Sequence, residues 1–450
     1  MGKRAAYIFI VLILALCLTP SVGMLAQHAG MEEGTGGNET LAALPTLRGP
    51  DGRLNPDWAA QMQDYVEDHY YLRQEMITAW SRLNASLLKT SIADNVVLGK
   101  DGWLYFGDTL PDYTNLTPMT PREVWSAARN LHLMSEACEK EGRRFLFTIA
   151  PNKNSLYPEH MPALTVQEGK RNRDLLAEAL AEEGVAYLDL FALFGEQNET
   201  LYFARDSHWN SKGAALAADA VNEAFGRQSE YSDGPFSPAP NHKGDLYDML
   251  YPAGDEMELD LAYLPELTIA YDAPIRSAEN LTIMTHGGGT GSLLMFRDSF
   301  GNLLYPYLAD SFDGALFSRA VPYRLDLAAA READFVVLEL VERNLRNLLA
   351  SVPVMPAPLR EAAEADHSAG TVAVTWEPSE ELPGYVRAQG ILPLTPDDKS
   401  PVLLETDRGW YEACLLEGNG FGLYLPEDAA IYSIAVWSGG RTSSLAVSDG

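Results

Sequence analysis

The 450-residue sequence is poor in cysteine and in basic residues. Its three cysteines, Cys17, Cys138 and Cys414, are too few for a disulfide framework, and no CxxC or Cys/His spacing typical of a zinc site is present. A bridge between Cys138 and Cys414 is conceivable, but we expect two buried thiols. Lys and Arg number 33 against 63 Asp and Glu, which gives a net charge of −30. Nucleic-acid binding is therefore excluded as a main activity, because phosphate binding needs basic patches.

Signatures of common cofactors are also missing. The sequence has no P-loop and no dinucleotide fingerprint, and its eight histidines form no HExxH or HxH pair. Asp206, His208 and Asp298 could in principle bind a metal, but two carboxylates and one His without regular spacing support this weakly. We therefore expect no metal and no organic cofactor. Apolar residues make up 46% of the chain and aromatics 10%, which is enough for a sizeable core and excludes wholesale disorder.

The first residues resemble an export signal. Lys3 and Arg4 precede an apolar run that continues weakly to Ala26 and is just long enough to span a bilayer. We expect residues 1–26 to be either a signal peptide or an uncleaved membrane anchor. Both would send the rest of the chain across the membrane, because the basic residues hold the N-terminus inside. Residues 27–53 are rich in Gly, Glu and Thr without periodicity and are predicted to be a linker.

The body of the chain alternates between strand-like and helix-like segments. Helices are predicted at 57–88, 120–140, 167–183 and 211–225, and a hairpin with a Lys-Asp-Gly turn is predicted at 95–106. Strands are predicted at 144–150, 185–190, 281–285, 292–296, 315–318 and 335–340. Such alternation favours a parallel sheet covered by helices on both faces. In these sheets the functional site lies beyond the carboxyl ends of the strands.

Towards the C-terminus the pattern changes to short Val, Leu, Ile and Tyr runs between Gly-, Pro- and Asp-rich turns. This pattern favours a small β-sandwich or barrel. Trp410, Tyr411 or Trp437 could bind carbohydrate there, or could be ordinary core and surface aromatics. After the export segment and the linker, we therefore predict an α/β domain at 54–360 and a small all-β domain at 368–450.

Two short segments carry residues suited to nucleophilic catalysis. Asp206 and His208 lie two residues apart directly before a predicted helix, and Ser299 lies where an apolar strand turns into a helix. Acyl transfer needs a hydroxyl, a base and a carboxylate that orients the base, and these segments could supply all three. Backbone N–H groups from about Ser299 to Gly301 could stabilise an oxyanion.

Each segment alone is a weak signal. A Ser-Phe-Gly sequence after a strand is common, an Asp-x-His pair is more often a cap or a surface pair, and the Gly-x-Ser-x-Gly elbow of many hydrolases is missing. The residues by themselves therefore leave the triad as one hypothesis among several.

Taken together and in order, three motifs resemble the bacterial DHHW family, which is similar to the SGNH-hydrolase-like domain of alginate O-acetylation proteins. They are Gly99-Lys100-Asp101-Gly102-Trp103-Leu104, Asp206-Ser207-His208-Trp209 and Asp298-Ser299-Phe300-Gly301-Asn302. The Pro151-Asn152-Lys153 sequence and the Gly244-Asp245-Leu246 element add to the resemblance, which spans about residues 54–350. Two departures stand out. Ser207 replaces the first His of the family's name motif, and Arg297 stands where SGNH enzymes usually carry Gly.

The resemblance implies a three-layer α/β/α SGNH-type fold in which the Asp–His segment precedes the Ser segment, a permuted order. It implies Ser299 as the nucleophile, His208 as the base and Asp206 as the partner of His208. It also implies transfer of an acetyl group to an exported polysaccharide, with a membrane-bound O-acyltransferase supplying the acetyl group. Residues expected near the substrate or the oxyanion are Arg297, Phe300, Gly301, Asn302, Lys153 and Trp209.

We therefore predict an extracytoplasmic O-acetyltransferase, membrane-anchored or secreted, that works through a Ser acyl-enzyme. One alternative is a carbohydrate esterase of the SGNH type, in which water replaces the sugar hydroxyl. Sequence cannot separate the two, because the difference is whether the site excludes water. Another alternative is a glycan-binding assembly protein with a degenerate catalytic domain.

Overall fold

The computed structural model describes residues 3–28, 41–363 and 367–449. The α-helices are α1 (Lys3–His28), α2 (Trp58–His69), α3 (Arg73–Leu87), α4 (Leu110–Tyr113), α5 (Pro121–Lys140), α6 (Lys153–Leu156), α7 (Asn172–Glu183), α8 (Leu190–Gly195), α9 (Ser211–Ala224), α10 (Asp245–Leu250), α11 (Gly301–Ser311) and α12 (Asp326–Ala330). The strands are β1 (Val96–Leu98), β2 (Leu104–Phe106), β3 (Arg144–Ala150), β4 (Tyr187–Leu188), β5 (Phe236–His242), β6 (Glu258–Tyr263), β7 (Ile269–Tyr271), β8 (Thr282–Gly287), β9 (Ser292–Phe296), β10 (Gly314–Ser318), β11 (Phe335–Val341), β12 (Leu359–Arg360), β13 (His367–Pro378), β14 (Tyr385–Ile391), β15 (Val402–Thr406), β16 (Gly409–Glu412), β17 (Cys414–Leu416), β18 (Gly420–Pro426), β19 (Ile431–Ser438) and β20 (Arg441–Asp449).

A seven-stranded sheet forms the middle layer of the α/β part, in the order β4-β3-β11-β9-β10-β8-β7. The strands from β4 to β10 are parallel, whereas β8 runs antiparallel to β10. Side chains of β11 alternate between the faces, because Val336 and Leu338 join one apolar cluster while Val337 and Val341 join the other. Helices α5 and α7 cover the first face, and α9 and α11 cover the second. The expected α/β/α architecture is therefore confirmed.

Local sequence signals fix several elements where they were expected. At the start of α5, the Glu123 N–H donates to the Thr120 hydroxyl at 3.2 Å and the Thr120 N–H donates to the Glu123 carboxylate at 2.7 Å. Between β1 and β2, Asp101 and Gly102 have φ angles of 55° and 81°, which a tight hairpin turn requires. These interactions depend on neighbouring residues only, so the sequence is sufficient to predict them.

Other element boundaries differ from the prediction. The helix predicted at 57–88 is two helices, α2 and α3, and Leu72 between them has a φ of 63°. The helix predicted at 167–183 begins at Asn172. The strand predicted at 185–190 is only β4, because the Asp189 carboxylate accepts hydrogen bonds from two N–H groups of α8 and starts that helix.

The C-terminal part is all β, as expected, and consists of one nine-stranded sheet in the order β12-β16-β15-β19-β20-β13-β14-β18-β17. Its apolar cluster joins side chains from strands at both ends of this order, for example Tyr411 of β16 and Leu415 of β17, so the sheet curves around its own core. Tyr411 is buried, whereas Trp410 and Trp437 are half-buried. Strand β12, which lies inside the segment predicted as α/β, pairs with β16 in this sheet. The predicted domain boundaries stay a prediction.

Cys138 and Cys414 are free, buried thiols, as expected. Both lie in the apolar cluster on the α5 face of the central sheet. Burial raises the pKa of each thiol to about 12. Their role is therefore that of small apolar side chains, and they carry no thiolate near neutral pH.

The apolar N-terminal run forms helix α1. Residues Tyr7–Met24 are long and apolar enough to cross a membrane, by length and composition. Of the predicted linker, residues 29–40 lie outside the described part of the chain. Residues 41–53 are irregular apart from an isolated bridge between Arg48 and Leu54.

An ionic network joins α5 to the C-terminal sheet. The Arg129 guanidinium binds the Glu412 carboxylate through two nitrogens, at 2.7 and 2.8 Å, and also contacts Glu183 at 2.9 Å. Arg360 binds the second oxygen of Glu412 at 2.6 Å. The Glu412 side chain is only 1% exposed, so its charge depends on these two arginines for compensation.

We expect Arg129→Met to lower the free energy of unfolding by about 3 kcal/mol, because it leaves the buried Glu412 carboxylate undercompensated. Urea denaturation followed by circular dichroism measures this difference. As a control, Lys399→Met breaks the exposed pair between Lys399 and Glu182 and should leave the transition unchanged. If the two variants had the same free energy of unfolding, the ionic network would not stabilise the fold as proposed.

Candidate active site

Ser299 lies in the short loop between β9 and α11, and the Asp298 carboxylate fixes this loop. One Asp298 oxygen accepts from the Phe300 N–H at 2.9 Å, and the other accepts from the Val341 N–H at 2.7 Å. The Asp298 N–H in turn donates to the buried Glu339 carboxyl at 3.1 Å. Burial and the nearby negative charge of Asp298 raise the pKa of Glu339 well above its usual range. The Ser299 loop is thereby tied to the carboxyl end of the neighbouring strand β11.

Asp206 and His208 lie on a loop directly before α9. The His208 N–H donates to the Asp206 carboxylate at 2.9 Å, which closes a turn of the kind that Asp favours. Beneath this loop, the Lys153 ammonium donates to the carbonyl oxygens of Phe203, Ala204 and Asp206 at 3.1, 2.9 and 2.5 Å. Burial lowers the pKa of Lys153 to about 8, although the surrounding carboxylates oppose this. Lys153 thus holds the loop from the protein interior.

The two loops meet in a continuous hydrogen-bond chain. The Nε2 atom of His208 lies 2.8 Å from the Ser299 hydroxyl oxygen. The Nδ1 atom of His208 lies 2.7 Å from the Asp206 carboxylate. Burial would lower the pKa of His208, but the hydrogen bond and charge of Asp206 outweigh it, so the pKa is raised above its usual value. The three residues that the sequence analysis singled out for chemistry are therefore brought together.

The second oxygen of Asp206 has partners that the sequence analysis did not identify. It lies 2.9 Å from the Nε2 atom of His242 and accepts from the Asp245 N–H at 2.9 Å. Although burial alone would raise the pKa of Asp206, its contacts with His208 and His242 hold that pKa well below its usual range. Asp206 is thus an ionised carboxylate between two histidines.

Asp245, in the Gly244-Asp245-Leu246 element, also binds Ser207. The Ser207 N–H and hydroxyl donate to the Asp245 carboxylate at 2.7 and 2.5 Å. A Cβ atom at Gly244 would lie 2.3 Å from the Arg205 carbonyl oxygen, so only glycine allows this close approach. The Ser that replaces the family's His therefore joins the Asp206 loop to the start of α10.

A cavity of about 1120 Å³ opens over Ser299 and His208. Its lining includes Phe300 and Asn302, two of the residues expected near the substrate. The Phe300 ring centroid lies 4.9 Å from that of His208. Because the Phe300 N–H is bonded to Asp298, it is not free to serve the oxyanion as expected.

The other four residues expected near the substrate or the oxyanion are placed differently. Arg297 is buried and donates to the Asn302 side-chain oxygen and to the Ala278 carbonyl oxygen, each at 2.6 Å. A Cβ atom at Gly301 would lie 2.5 Å from Arg297 Cδ, so Gly301 makes room for this side chain rather than for a substrate. Lys153 lies beneath the loop, as described above. The indole of Trp209 is fully buried against Phe300. Arg297, Lys153 and Trp209 are thus buried and do not line the Ser299 cavity, and their contact with substrate stays a prediction.

Arg343 lines the cavity and was not identified from the sequence. Its guanidinium lies over the rings of Phe106 and Phe300, 5.2 and 5.8 Å from their centroids. Its hydrogen bond to the Asn152 side chain is long, at 3.5 Å, and no carboxylate in the described ranges lies within ion-pair distance of it. Burial lowers the pKa of Arg343, but a guanidinium stays charged. The run of polar residues directly after β11 is the sequence signal from which Arg343 could have been identified.

The residues weighed as a metal set are not grouped as the sequence suggested. Asp206 and His208 lie with Asp245, and single ligand atoms of these three side chains are within 4.8 Å of one another. Asp298 instead fixes the Ser299 loop. Each member of the Asp206–His208–Asp245 group is already hydrogen-bonded to protein groups.

We expect Asp206→Asn to lower the pKa of His208, because the substitution removes the negative charge and the ionic hydrogen bond that raise it. NMR titration of the imidazole proton measures the midpoint. The control Asp272→Asn removes the partner of the exposed His286 and should leave the His208 midpoint in place. A midpoint that Asp206→Asn does not move would refute the described electrostatics.

Comparison with known proteins gives a family match over part of the chain. The family model for the SGNH hydrolase-like domain of the acetyltransferase AlgX matches residues 96–281. This range contains Asp206 and His208 and ends before Ser299. A probable alginate O-acetylase, AlgJ of Pseudomonas syringae pv. tomato, is 26% identical over 229 residues, which cover 46% of this chain and 56% of the relative. AlgJ of Pseudomonas aeruginosa is 24% identical over 212 residues, covering 44% and 51%.

The chain thus spans about half the length of the curated relatives it matches. Among solved structures, Bacillus cereus PatB1 superposes with a TM-score of 0.45 at 16% identity, covering 56% of this chain and 97% of PatB1. A DHHW family protein from Eubacterium siraeum gives a TM-score of 0.41 at 16% identity, covering 56% and 94%. The resemblance expected from the sequence is therefore confirmed: the chain is similar to the AlgX-type SGNH hydrolase-like domain and to the AlgJ proteins.

Proposed function

We propose that this chain is an extracytoplasmic O-acetyltransferase that moves an acetyl group through an acetyl-Ser299 intermediate onto a hydroxyl of an exported or cell-wall polysaccharide. The observation that carries the proposal is the hydrogen-bond chain from Ser299 through His208 to Asp206, at 2.8 and 2.7 Å. Similarity to the AlgX domain and to the AlgJ acetylases supports the choice of acetyl group and polysaccharide.

In the first half-reaction, the Ser299 oxygen attacks the carbonyl carbon of a donor acetyl ester while His208 Nε2 takes the hydroxyl proton. The tetrahedral intermediate then collapses, the bond to the donor oxygen breaks, and that oxygen receives the proton from His208. Asp206 stabilises the imidazolium that forms between these two steps. The ionised state of Asp206, kept by two histidines, suits this role.

In the second half-reaction, a sugar hydroxyl takes the place of the donor. His208 removes its proton as the sugar oxygen attacks acetyl-Ser299, and the proton returns to the Ser299 oxygen when the acyl bond breaks. The half-buried Ser299 at the floor of the cavity leaves room above it for both reactants in turn.

Negative charge on the carbonyl oxygen needs donors near Ser299. With the Phe300 N–H committed to Asp298, we assign this role to the Ser299 N–H together with the Arg343 guanidinium. A cation without an ion-pair partner in a partly dehydrated cavity stabilises developing negative charge more strongly than it would in water.

Helix α1 supports the location outside the cytoplasm, as a signal peptide or as an anchor. An acetyl group made in the cytoplasm would then have to cross the bilayer before it reaches Ser299. We assign this step to a membrane-bound O-acyltransferase partner. The direct contact between Ser299 and His208 weighs against the alternative of a non-catalytic assembly protein.

We expect Ser299→Ala to lower acetyl transfer from an activated acetyl ester at least about a thousandfold, because no nucleophile remains. Mass spectrometry should detect one acetyl group on the Ser299 peptide of the unmodified chain and none in the variant. Ser379→Ala, in a turn of the C-terminal part, is the matched control. Equal activity of wild type and Ser299→Ala would end the assignment.

The products then separate a transferase from an esterase. With a polysaccharide acceptor present, a transferase gives acetylated sugar at the expense of free acetate, whereas an esterase gives acetate only.

We expect the acid limb of kcat/KM to coincide with the NMR midpoint of His208, above the usual histidine value. His208 must be neutral to accept a proton, and its raised pKa means that activity is lost as pH falls through that value. A pH–rate profile of the wild type measures the limb. A rate that stays constant through the titration of His208 would show that it is not the base.

A further inference from the structure

Helix α3 has its apolar and polar faces reversed. Met76, Trp80, Leu83 and Leu87 form one stripe at helical spacing, and their side chains are between 45% and 71% exposed. The face turned towards the protein instead carries Thr78, Ser81 and Asn84, which are between 1% and 8% exposed. A soluble helix places its apolar stripe inwards, so the outer face of α3 is built to contact something apolar.

Two of the three buried polar side chains on the inner face of α3 have hydrogen-bond partners. The Thr78 hydroxyl accepts from the Ala253 N–H at 2.9 Å, and the Asn84 side chain donates to the Trp80 carbonyl oxygen at 2.8 Å. Arg82 lies over the Tyr251 ring, 5.9 Å from its centroid. The Thr78–Ala253 contact ties the inner face of α3 to the segment after α10, and the outward direction of the apolar stripe follows from it.

Exposed apolar side chains are concentrated in this part of the chain. In the described residues after α1, 24 large apolar side chains are exposed, and eleven of them lie between Leu41 and Ile92. Residues 29–40, outside the described ranges, contain a single large apolar residue, Met31, which is too little to cover the stripe. Residues 29–40 therefore do not supply the apolar surface that this stripe would contact.

The position of α1 indicates that the apolar surface in contact with the α3 stripe is a lipid bilayer. The Tyr71 N–H, two residues before α3, donates to the Pro20 carbonyl oxygen of α1 at 3.3 Å. The Tyr71 ring occupies the space beside Gly23, where a Cβ atom would lie 2.3 Å from it. The apolar run Tyr7–Met24 ends at this contact. The end of a segment able to cross a bilayer therefore adjoins the beginning of α3.

We propose that α3 lies in the interfacial layer of the lipid bilayer that α1 enters, with Met76, Trp80, Leu83 and Leu87 inserted at the boundary between headgroups and acyl chains. The proposal rests on the membrane location given under the proposed function. Trp is the side chain most typical of this boundary, and an apolar stripe on a helix with basic residues suits it. Residues 73–89 carry three basic side chains and one acidic one, in a chain with a net charge of −30.

Insertion of α3 would set the distance between the membrane and the candidate active site. Ala253, which contacts α3, follows Pro252 in the lining of the Ser299 cavity. The Ser299 cavity would then face the membrane surface at a fixed height, within reach of an acetyl group delivered across the bilayer.

The test uses the full chain reconstituted in vesicles of phosphatidylethanolamine and phosphatidylglycerol, with and without bromine on the acyl chains near the headgroup. Bromine quenches only those Trp side chains that reach the acyl boundary. We expect the emission contributed by Trp80, taken as the difference between wild type and Trp80→Phe, to fall about twofold or more in the brominated vesicles. Trp437→Phe, a half-buried Trp of the C-terminal sheet, should leave the quenching of the remaining emission as in wild type.

Resistance to an alkaline wash reports separately on insertion of α1. Quenching of Trp80 supports the proposal whether or not the wash releases the chain. Retention of the chain without quenching of Trp80 would overturn it.

Leu83→Gln, an exposed substitution, should weaken the quenching without changing the circular dichroism. A shift of Trp80 emission with protein concentration in detergent would instead assign the stripe to a second copy and would also overturn it.

Discussion

The Asp206 carboxylate is the group on which the geometry of the candidate site depends. One of its oxygens accepts from the backbone and the ring of His208, and the other binds His242 and the start of α10. The donors are two imidazole rings and two backbone N–H groups, and the Asp206 carboxylate is almost fully buried. Removing one donor would therefore leave the others misaligned. Asp206 is therefore held by four donor groups that belong to three residues, His208, His242 and Asp245.

The other half of the site is held by a different carboxylate, Asp298. It binds the Ser299 loop to β11, an inner strand of the sheet, whereas Asp206 belongs to a loop held by Lys153 from below. The hydroxyl and the imidazole thus rest on separate carboxylate supports, and the two loops meet at the 2.8 Å contact and where the Phe300 ring packs against His208 and Trp209. Such an arrangement holds both groups without needing a substrate to order them, which is the preorganisation that acyl transfer benefits from.

The features that could be predicted from the sequence are those that depend on interactions between neighbouring residues. The start of α5 follows from Thr120 and Glu123, and the hairpin turn follows from Asp101 and Gly102, because the partners are neighbours in sequence. The residues alone left the meeting of Ser299 with His208 as one hypothesis among several, because 91 residues separate them and no spacing rule joins them, and the resemblance singled it out.

What sequence reasoning missed depends on the direction of side chains in the folded protein. Lys153 has the charge expected of a substrate-binding residue, but its ammonium points under the Asp206 loop to three carbonyl oxygens. Arg297 likewise fills the space beside Gly301 instead of facing the cavity. Conversely, His242 and Arg343 carry no motif, and each is recognisable only once the sheet brings it to the cavity.

The two buried thiols have a consequence for how the chain reaches its folded state. Cys138 and Cys414 sit in one apolar cluster, unpaired, with the pKa of each raised to about 12. A thiol that is neither exposed nor ionised does not enter exchange with oxidants or with other thiols. The described part of the chain is held by packing, hydrogen bonds and ion pairs, without a disulfide between these two cysteines. It can therefore mature outside the cytoplasm without any enzyme of disulfide formation, and it would be equally stable in reducing and oxidising surroundings.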